Sequence, residues 1–588
     1  MRVCEIRDRR RLMDAALGRI ACDLTVENVR FANMLTGEIY PAQVDVLDGA
    51  VVRVREAGES LPVPSHSVSD GGGRDLLPGL IDAHMHVEST MMIPQQLARA
   101  IVPWGTTTVC TDPHEIANVM GKRGVRFMLE NAGLAALRQY ILAPSCVPAA
   151  PGLESAGASF CAGDVGELLG QPGVIGVAEM MDYMGVVNGA DRMAAIAEEG
   201  RGRGMFLQGH APQLTGAALA AYRIGGPSSD HESRSAEEIR EKLRNGMRIN
   251  LRASSIVDAL EELTRGLEGM GWLDQVSLCT DDVHAADLLA KGHLNAIVAR
   301  LIHGGMNPMV AYKLCTYNAA REYGFDDLGA VAPGYLADFQ LLDALDGRMP
   351  YAVFLRGKLA ACQGRYVLQD QSSTCRVQPE NTMRVCGTKG EEDFCIAVGD
   401  GRQTARVLVL GRTGRGLERS GEWVALPVRN GLVSLQDRPD LQFIAVVNRY
   451  GSGAKTVAVT KDFGLREGAV ATTISHDSHN FTVVYRDAKS AFACLEKLRE
   501  TGGGICAARE GRCIEALPLP LAGLMSLDAC DVLAKKIDAV QSAMQSLCSK
   551  PFSLLDISVY ALPAVPGLVI TDKGIVDGDR QAFIASVS

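Results

Sequence analysis

The chain reads Leu76-Leu77-Pro78-Gly79-Leu80-Ile81-Asp82-Ala83-His84-Met85-His86, a short apolar strand that ends on two histidines. Gly71-Gly72-Gly73 comes before it and predicts a loop. Side chains at i and i+2 of a strand point to the same face, so His84 and His86 can reach one metal ion. The stretch predicts a metal site at the carboxyl end of a buried strand.

Further candidate strands follow, and amphipathic segments with helical spacing lie between them. Counting the first, the candidates number eight, at 106–110, 139–143, 174–178, 205–208, just before His231, 247–251 and 276–280. The candidate before His231 is the weakest. The segments 93–102, 192–201, 236–245 and 256–267 have the apolar spacing of helices. Strands that alternate with helices over about 250 residues predict a TIM-like (β/α)₈ barrel.

Strand-like sequence flanks the barrel on both sides, at 23–55 and again at 341–343 and 353–357. The predicted fold class is therefore α/β: a (β/α)₈ barrel, a small β-sandwich domain from both flanks, and a C-terminal α/β domain. We expect residues 1–79 to form the N-terminal part of the sandwich and 80–328 the barrel. We expect residues 329–375 to form the C-terminal part of the sandwich, with a polar linker near 369–380. Residues 376–588 are expected to form the last domain.

Composition excludes several classes of function. The 588 residues are 47% hydrophobic and 22% charged, and the net charge of −10 comes without a basic patch, so neither nucleic acid nor a membrane is an expected partner. No apolar run reaches 18 residues, which argues against a membrane span. The 16 cysteines form no Cys-x-x-Cys pair, and we expect a cytoplasmic protein.

Later strand ends offer further metal ligands. Glu179, His210, His231 and Asp281 each follow a candidate strand, where the active sites of barrels are built. A single charged residue in such a place is often only solvated, but six matching positions together are hard to explain that way. Four histidines and two acids suffice for two divalent ions, with Glu179 placed to bridge them.

Several motifs resemble known families. Asp82-Ala83-His84-Met85-His86, Thr280-Asp281 and the Pro333-Gly334 to Asp338 segment resemble the amidohydrolase superfamily of metallo-dependent hydrolases. Nearly the whole chain resembles the bacterial adenine deaminase family, through the stretches 84–89, 112–119, 178–181, 209–210, 231–233, 279–282, 464–469, 476–480 and 519–526. The chain departs from the family at Ala253, where a glutamate is common, and at Lys461-Asp462-Phe463.

The resemblance implies hydrolytic deamination of adenine to hypoxanthine and ammonia by a metal-activated hydroxide, in purine salvage and adenine catabolism. It implies two ions, with Glu179 in the place of a carboxylated lysine. The implied ligands are His84, His86, Glu179, His210, His231 and Asp281. Imidazole and carboxylate suit Zn, Mn and Fe alike, and the family favours Mn or Fe.

The implied reaction also suggests a role for each of several residues. Asp281 would accept a proton from water and pass it to the leaving amine, and His231 would stabilise the developing hydroxyl. Glu115 or Glu88 would protonate N1 of the purine, and the sequence leaves that choice open. Candidate substrate-binding residues are Asp112, His114, Asp282, His284, His476, Asp477 and His479.

Some alternatives stay open at this level. The stretch Asp112-Pro113-His114-Glu115 has a functional interpretation and a structural one, in which Pro113 shapes a turn and His114 caps a loop. The cluster at 476–479 could be catalytic, bind an extra ion, or be a structural turn. The substrate could be another aminated base or a cyclic amide, and a barrel without catalysis would serve as a binding module. We expect adenine as the partner molecule, and a homodimer or higher homo-oligomer.

Overall fold

The computed structural model describes residues 4–6, 8–56, 58–59, 63–369, 380–399, 401–413, 418–563 and 567–587. The predicted linker lies almost wholly outside them. The chain divides into two units: Met1–Asp112, Met128–Ser145 and Ala162–Arg376 form the first, and Pro113–Phe127, Cys146–Cys161 and Val377–Ser588 form the second. The predicted domain boundaries at 79, 328 and 375 stay predictions.

The first unit begins with one helix and four strands: α1 (Arg9–Ala16), β1 (Leu24–Ala32), β2 (Ile39–Leu47), β3 (Ala50–Glu56) and β4 (Ser67–Pro78). The three glycines at 71–73 lie inside β4, so the predicted loop was wrong. Gly72 and Gly73 have φ of +64° and +72°, and the pairing of β4 with β1 shifts register beside them. Glycine adopts such angles without a Cβ clash, so a bulge continues the strand.

Eight parallel strands form the barrel: β5 (Leu80–Met85), β6 (Thr106–Thr111), β7 (Arg138–Ala143), β8 (Val174–Met180), β9 (Phe206–Gly209), β10 (Ser229–Asp230), β11 (Arg248–Arg252) and β12 (Val276–Cys279). β5 to β9 form one sheet and β10 to β12 another. The Ser228 amide donates to the Leu207 carbonyl at 3.0 Å, and the Asp281 amide donates to the His84 carbonyl at 3.0 Å. These bonds close the ring, and the predicted barrel is confirmed.

Helices occupy the connections: α2 (Pro94–Ile101), α3 (His114–Met120), α4 (Lys122–Ala132), α5 (Ala162–Leu169), α6 (Tyr183–Val187), α7 (Asp191–Gly202), α8 (Gly216–Gly225), α9 (Ala236–Arg244), α10 (Leu260–Arg265), α11 (Ala285–Lys291), α12 (Leu294–His303), α13 (Pro308–Lys313) and α14 (Ala319–Glu322). Every residue of β8 is buried, as a parallel strand covered on both faces requires. The four predicted helices correspond to α2, α7, α9 and α10, and α10 is shorter than predicted.

Four strands after the barrel return to the first sheet: β13 (Phe339–Leu342), β14 (Ala352–Leu355), β15 (Lys358–Cys362) and β16 (Arg365–Tyr366). The resulting order is β16-β15-β14-β13-β4-β1-β2-β3. Buried residues from both flanks share one core, in which the rings of Phe339 and Phe354 stack at 4.8 Å. The two flanks thus build one β structure, as predicted.

The second unit has a nine-stranded sheet, in the order β19-β18-β17-β21-β20-β23-β22-β24-β25. Its strands are β17 (Thr404–Arg412), β18 (Arg419–Arg429), β19 (Leu432–Val433), β20 (Gln442–Val447), β21 (Lys455–Thr460), β22 (Ala469–Thr472), β23 (Phe481–Tyr485), β24 (Gly504–Arg509) and β25 (Arg512–Pro518). A small sheet contains β26 (Leu568–Thr571), β27 (Gly574–Asp577) and β28 (Ala582–Ile584).

Helices of this unit are α3, which lies within Pro113–Phe127, and α15 (Ala488–Thr501), α16 (Cys530–Leu547) and α17 (Leu554–Ser558). The Asp487 side chain caps α15, and Leu495 and Leu498 on its inner face join the core of the sheet. Over the described ranges, no helix combines the length and apolarity needed to cross a membrane.

Candidate active site

Six polar side chains gather at the carboxyl ends of barrel strands in the first unit. They are His84 and His86 from β5, Glu179 from β8, His210 after β9, His231 after β10 and Asp281 after β12. Five of the six are buried, and the His210 side chain is 14% exposed. All six predicted ligands are therefore close neighbours at the end of the barrel where active sites are built.

Glu179 lies between two groups of histidines. Its Oε1 atom is 3.4 Å from His86 Nε2 and 4.0 Å from His84 Nε2. Its Oε2 atom is 2.6 Å from His210 Nδ1 and 3.2 Å from His231 Nε2. Each carboxylate oxygen faces a different pair of imidazoles, which is the geometry of a bridging carboxylate.

Asp281 completes the group around the first histidine pair. Its Oδ1 atom lies 3.3 Å from His84 Nε2 and 3.2 Å from His86 Nε2. Asp281 has a φ of +58°, which is uncommon for a residue with a Cβ. Its amide donates to the His84 carbonyl and its carbonyl accepts from the His86 amide at 3.2 Å, so pairing with β5 holds this conformation.

Hydrogen bonds fix the protons of His84 and His86. Nδ1 of His84 lies 2.9 Å from the side-chain carbonyl of Gln208, and Nδ1 of His86 lies 3.0 Å from the Asp112 carbonyl. A carbonyl oxygen only accepts, so Nδ1 carries a proton in both rings, and Nε2 keeps its lone pair whenever the ring is neutral. The lone pairs of His84 Nε2 and Asp281 Oδ1 thus face each other, and this arrangement fits a divalent cation between them.

The charges of the protein favour the metal-binding forms of Glu179, Asp281 and His84. At the other two buried histidines, neighbouring carboxylates outweigh burial: they raise the pKa of His86 well above its ordinary value and that of His231 to about 9. Burial raises the pKa of Glu179, but the neighbouring histidines outweigh it and hold the pKa well below its ordinary value. Burial is likewise outweighed at Asp281, mainly by Arg252, and its pKa is also held well below the ordinary value. Burial lowers the pKa of His84. Ionised carboxylates and a neutral imidazole are the forms that ligate metals.

Arg252 and Glu232 also belong to the site, and sequence reasoning missed both. Arg252 Nη1 donates to Asp281 Oδ2 at 2.5 Å and also bonds Glu232. Arg252 ends β11, and Glu232 directly follows His231. Their places at strand ends were the available signal, because the ligands themselves occupy equivalent places.

The remaining predicted residues of the first unit differ in their surroundings. One potential ligand atom from each of Asp282, His86 and Asp281 lies within 4.8 Å of the other two. Glu88 is buried at the start of a short 3₁₀ helix. His284 precedes α11 and, within the part of the chain that is described, joins none of the candidate ligand groups.

The other predicted residues meet within the second unit. They are His114, Glu115, His476, Asp477 and His479, all of them buried. His479 Nε2 lies 3.6 Å from Glu115 Oε2, and His114 Nε2 lies 3.5 Å from Asp477 Oδ1. Burial and the positive charges of neighbouring groups lower the pKa of His479 well below its ordinary value, so its ring is neutral at neutral pH.

The barrel and its ligand set define a metal-dependent hydrolase of the amidohydrolase type. The amidohydrolase family model matches residues 76–360, and the model of the adenine deaminase C-terminal domain matches residues 419–582. The site residues of the first unit all fall within the first match.

Relatives of similar length narrow the class. The chain is 36% identical to adenine deaminase 3 of Rhizobium meliloti (strain 1021), over 97% of each protein. It is 36% identical to the adenine deaminase of Desulfatibacillum aliphaticivorans, over 97% of this chain and 98% of that one. It is 38% identical to that of Oleidesulfovibrio alaskensis, over 96% of each. The chain belongs to the adenine deaminase family.

Proposed function

We propose that this chain hydrolyses adenine to hypoxanthine and ammonia. The observation that carries the proposal is the 36–38% identity to three adenine deaminases over at least 96% of both partners in each comparison. The set of buried ligands in the barrel supports a hydrolase more than a binding module that has lost catalysis. An amidohydrolase acting on another base or on a cyclic amide has less support, because the family match extends through the C-terminal domain.

We propose two divalent ions. His84, His86, Asp281 and Glu179 Oε1 would hold one, and His210, His231 and Glu179 Oε2 would hold the other. When bound, the ions supply an acidified water, since a divalent ion lowers the pKa of its water from 15.7 to about 7. Manganese or iron is the proposed metal, and both suit imidazole and carboxylate ligands.

The side chains then have proton-transfer and orienting roles. The Asp281 carboxylate accepts the proton of the attacking water and passes it to the leaving amino group. Arg252 orients that carboxylate through Oδ2. His231 stabilises the developing hydroxyl group at C6, and Glu88 or Glu115 protonates N1.

Several further properties belong to the same proposal. The enzyme would act in purine salvage and adenine catabolism, in the cytoplasm, as a homodimer or larger homo-oligomer. The proposed division is 1–79 with 329–375, then 80–328, then 376–588. The sheet shared by both flanks and the two family matches support it.

The test is ammonia release by metal-reconstituted protein from adenine, adenosine, guanine and cytosine. We expect release from adenine, and a loss of about 100-fold or more in Asp281→Asn, because a positioned general base contributes at least that much. Release from another of these compounds in preference to adenine would contradict the proposed substrate.

The choice between the two acids needs a paired comparison. Glu88→Gln and Glu115→Gln keep the shape of each side chain and remove its proton-donating group. We expect one of them to lower turnover about 100-fold or more while metal content stays normal. Normal turnover in either variant removes that residue from the mechanism.

A further inference from the structure

Lys242 is a fully buried lysine on α9, with 0% of its surface exposed. Its Nζ atom lies 2.9 Å from Asp230 Oδ2 and 2.5 Å from Glu238 Oε1. It also donates to the Ala211 carbonyl at 2.6 Å and lies 3.2 Å from the Ser233 hydroxyl. An ammonium ion is buried only at high cost unless it is paired and hydrogen-bonded, and here both conditions hold.

The partners of Lys242 adjoin two of the candidate metal ligands. Ala211 directly follows His210, and Asp230 directly precedes His231. Asp230 Oδ1 accepts from the Ala211 amide at 2.8 Å, and Lys242 donates to the carbonyl of the same residue. Asp230 and Lys242 therefore bind both backbone polar groups of Ala211.

Glu238 also bonds the loop after His210 and the loop after His231. Its Oε1 atom accepts from the Gln213 amide at 2.8 Å, and its Oε2 atom accepts from the Arg234 amide at 2.9 Å. Gln213 lies in the loop after His210, and Arg234 lies in the loop after His231. The ammonium ion and its two carboxylates therefore cross-link both loops at several backbone groups.

We propose that Lys242 is a positioning residue for the metal centre: with Asp230 and Glu238 it holds the imidazoles of His210 and His231 in register with Glu179 Oε2. This inference rests on the proposed pair of metal ions. It assigns the cluster only to the ion that His210 and His231 would hold. His84, His86 and Asp281 are instead held by the pairing of β5 with the end of β12.

Metal binding by the full chain tests the proposal without substrate. Lys242→Met keeps an unbranched side chain, one heavy atom shorter, and removes its charge. Arg55→Met is the matched control, since Arg55 is also buried and bonds Asp45 at 2.6 Å in the flanking sheet of the same unit. Each protein is loaded with Mn²⁺, dialysed and measured for bound metal, and affinities come from competition with a chelator.

We expect wild type and Arg55→Met to hold two ions with equal affinities. Lys242→Met should hold one ion as tightly as wild type and the other about 10- to 100-fold more weakly, the usual effect of losing support behind a ligand. Glu238→Gln, which leaves the ammonium in place, should weaken the same ion severalfold and gives a second measurement if Lys242→Met fails to fold.

Two results would overturn the inference. In the first, wild type holds two ions, and a variant, either Glu238→Gln or soluble Lys242→Met, holds both ions as tightly as wild type does. The positioning role is then wrong and the proposed function stands. If wild type takes up no divalent ion, the metal-centre proposal fails, and this inference fails with it.

Discussion

Glu154 gives a pH-dependent prediction in the second unit. Its side chain is 2% exposed, and its Oε1 atom accepts from the Ala150 amide at 2.9 Å. Burial, with the nearby negative charges of Asp477 and Asp572, raises the pKa of Glu154 to about 8. We expect Glu154→Gln to stabilise this unit at pH 8 and to change little at pH 4.

The size of the change in the free energy of unfolding follows from the number of protons bound by the folded and unfolded states. Folded Glu154 keeps its proton up to about pH 8, whereas the unfolded group ionises near 4.5. The folded state then binds more protons than the unfolded state, so stability falls as the pH rises through this window. At about 1.4 kcal/mol per pKa unit, the loss reaches at most about 5 kcal/mol, and it grows no further above pH 8. Glutamine has no charge to lose, and its carbonyl still accepts from Ala150.

Hydrogen–deuterium exchange of peptides from β20 and β23 measures the stability of this unit alone. Wild type and variant are compared at the same pH, so intrinsic exchange rates cancel. We expect up to about three powers of ten more protection in Glu154→Gln at pH 8, and near equality at pH 4. Glu500→Gln is the control, because that side chain is 71% exposed. Equal protection of Glu154→Gln and wild type at pH 8 would refute the reasoning.

Three further predictions concern the barrel. Arg252→Met leaves the Asp281 carboxylate buried without its partner and should cost about 3–5 kcal/mol in the free energy of unfolding, with a smaller loss for Arg252→Lys, as chemical denaturation can measure. Gly209→Ala should lower bound metal, since a Cβ there would lie 2.1 Å from the Ser229 carbonyl oxygen, whereas Gly271→Ala, which has open space, should bind metal normally. Chelation should lower the thermal midpoint of wild type, because the buried ligands then face one another without a cation; an unchanged midpoint would argue against tight metal binding.

The clustering of the candidate metal ligands could be predicted from the sequence, because buried parallel strands appear as apolar runs and the next polar residue marks a strand end. The bulge at Gly72 and Gly73 could not, since turn and bulge both use glycine at positive φ. Arg252 and Lys242 were missed for a different reason. Arg252 bonds Asp281 and Lys242 bonds Ala211, each remote in the sequence, and the closed barrel brings these partners together.

Two buried aspartates connect neighbouring strands that carry ligands. Asp82 Oδ1 accepts from the amides of His84 and Thr280, both at 3.2 Å, and Thr280 precedes Asp281. Asp230 plays the corresponding part between β9 and β10, through the amide of Ala211. In both cases a carboxylate within two residues of one candidate ligand binds the backbone next to another, so the separation of the two candidate ligands is set by hydrogen bonds as well as by strand pairing.

The two connections differ in what else supports them. β5 and the end of β12 are also joined by backbone bonds on both sides of Asp281. Both connections lie between the two barrel sheets, but in the described residues β9 and β10 are joined by one backbone bond, from the Ser228 amide to the Leu207 carbonyl, and β10 has only two residues. The ion cluster of Lys242 therefore lies at the junction with fewer backbone bonds. A short strand gives a weak sequence signal, and the same shortness makes His210 and His231 depend on side-chain charges for their positions.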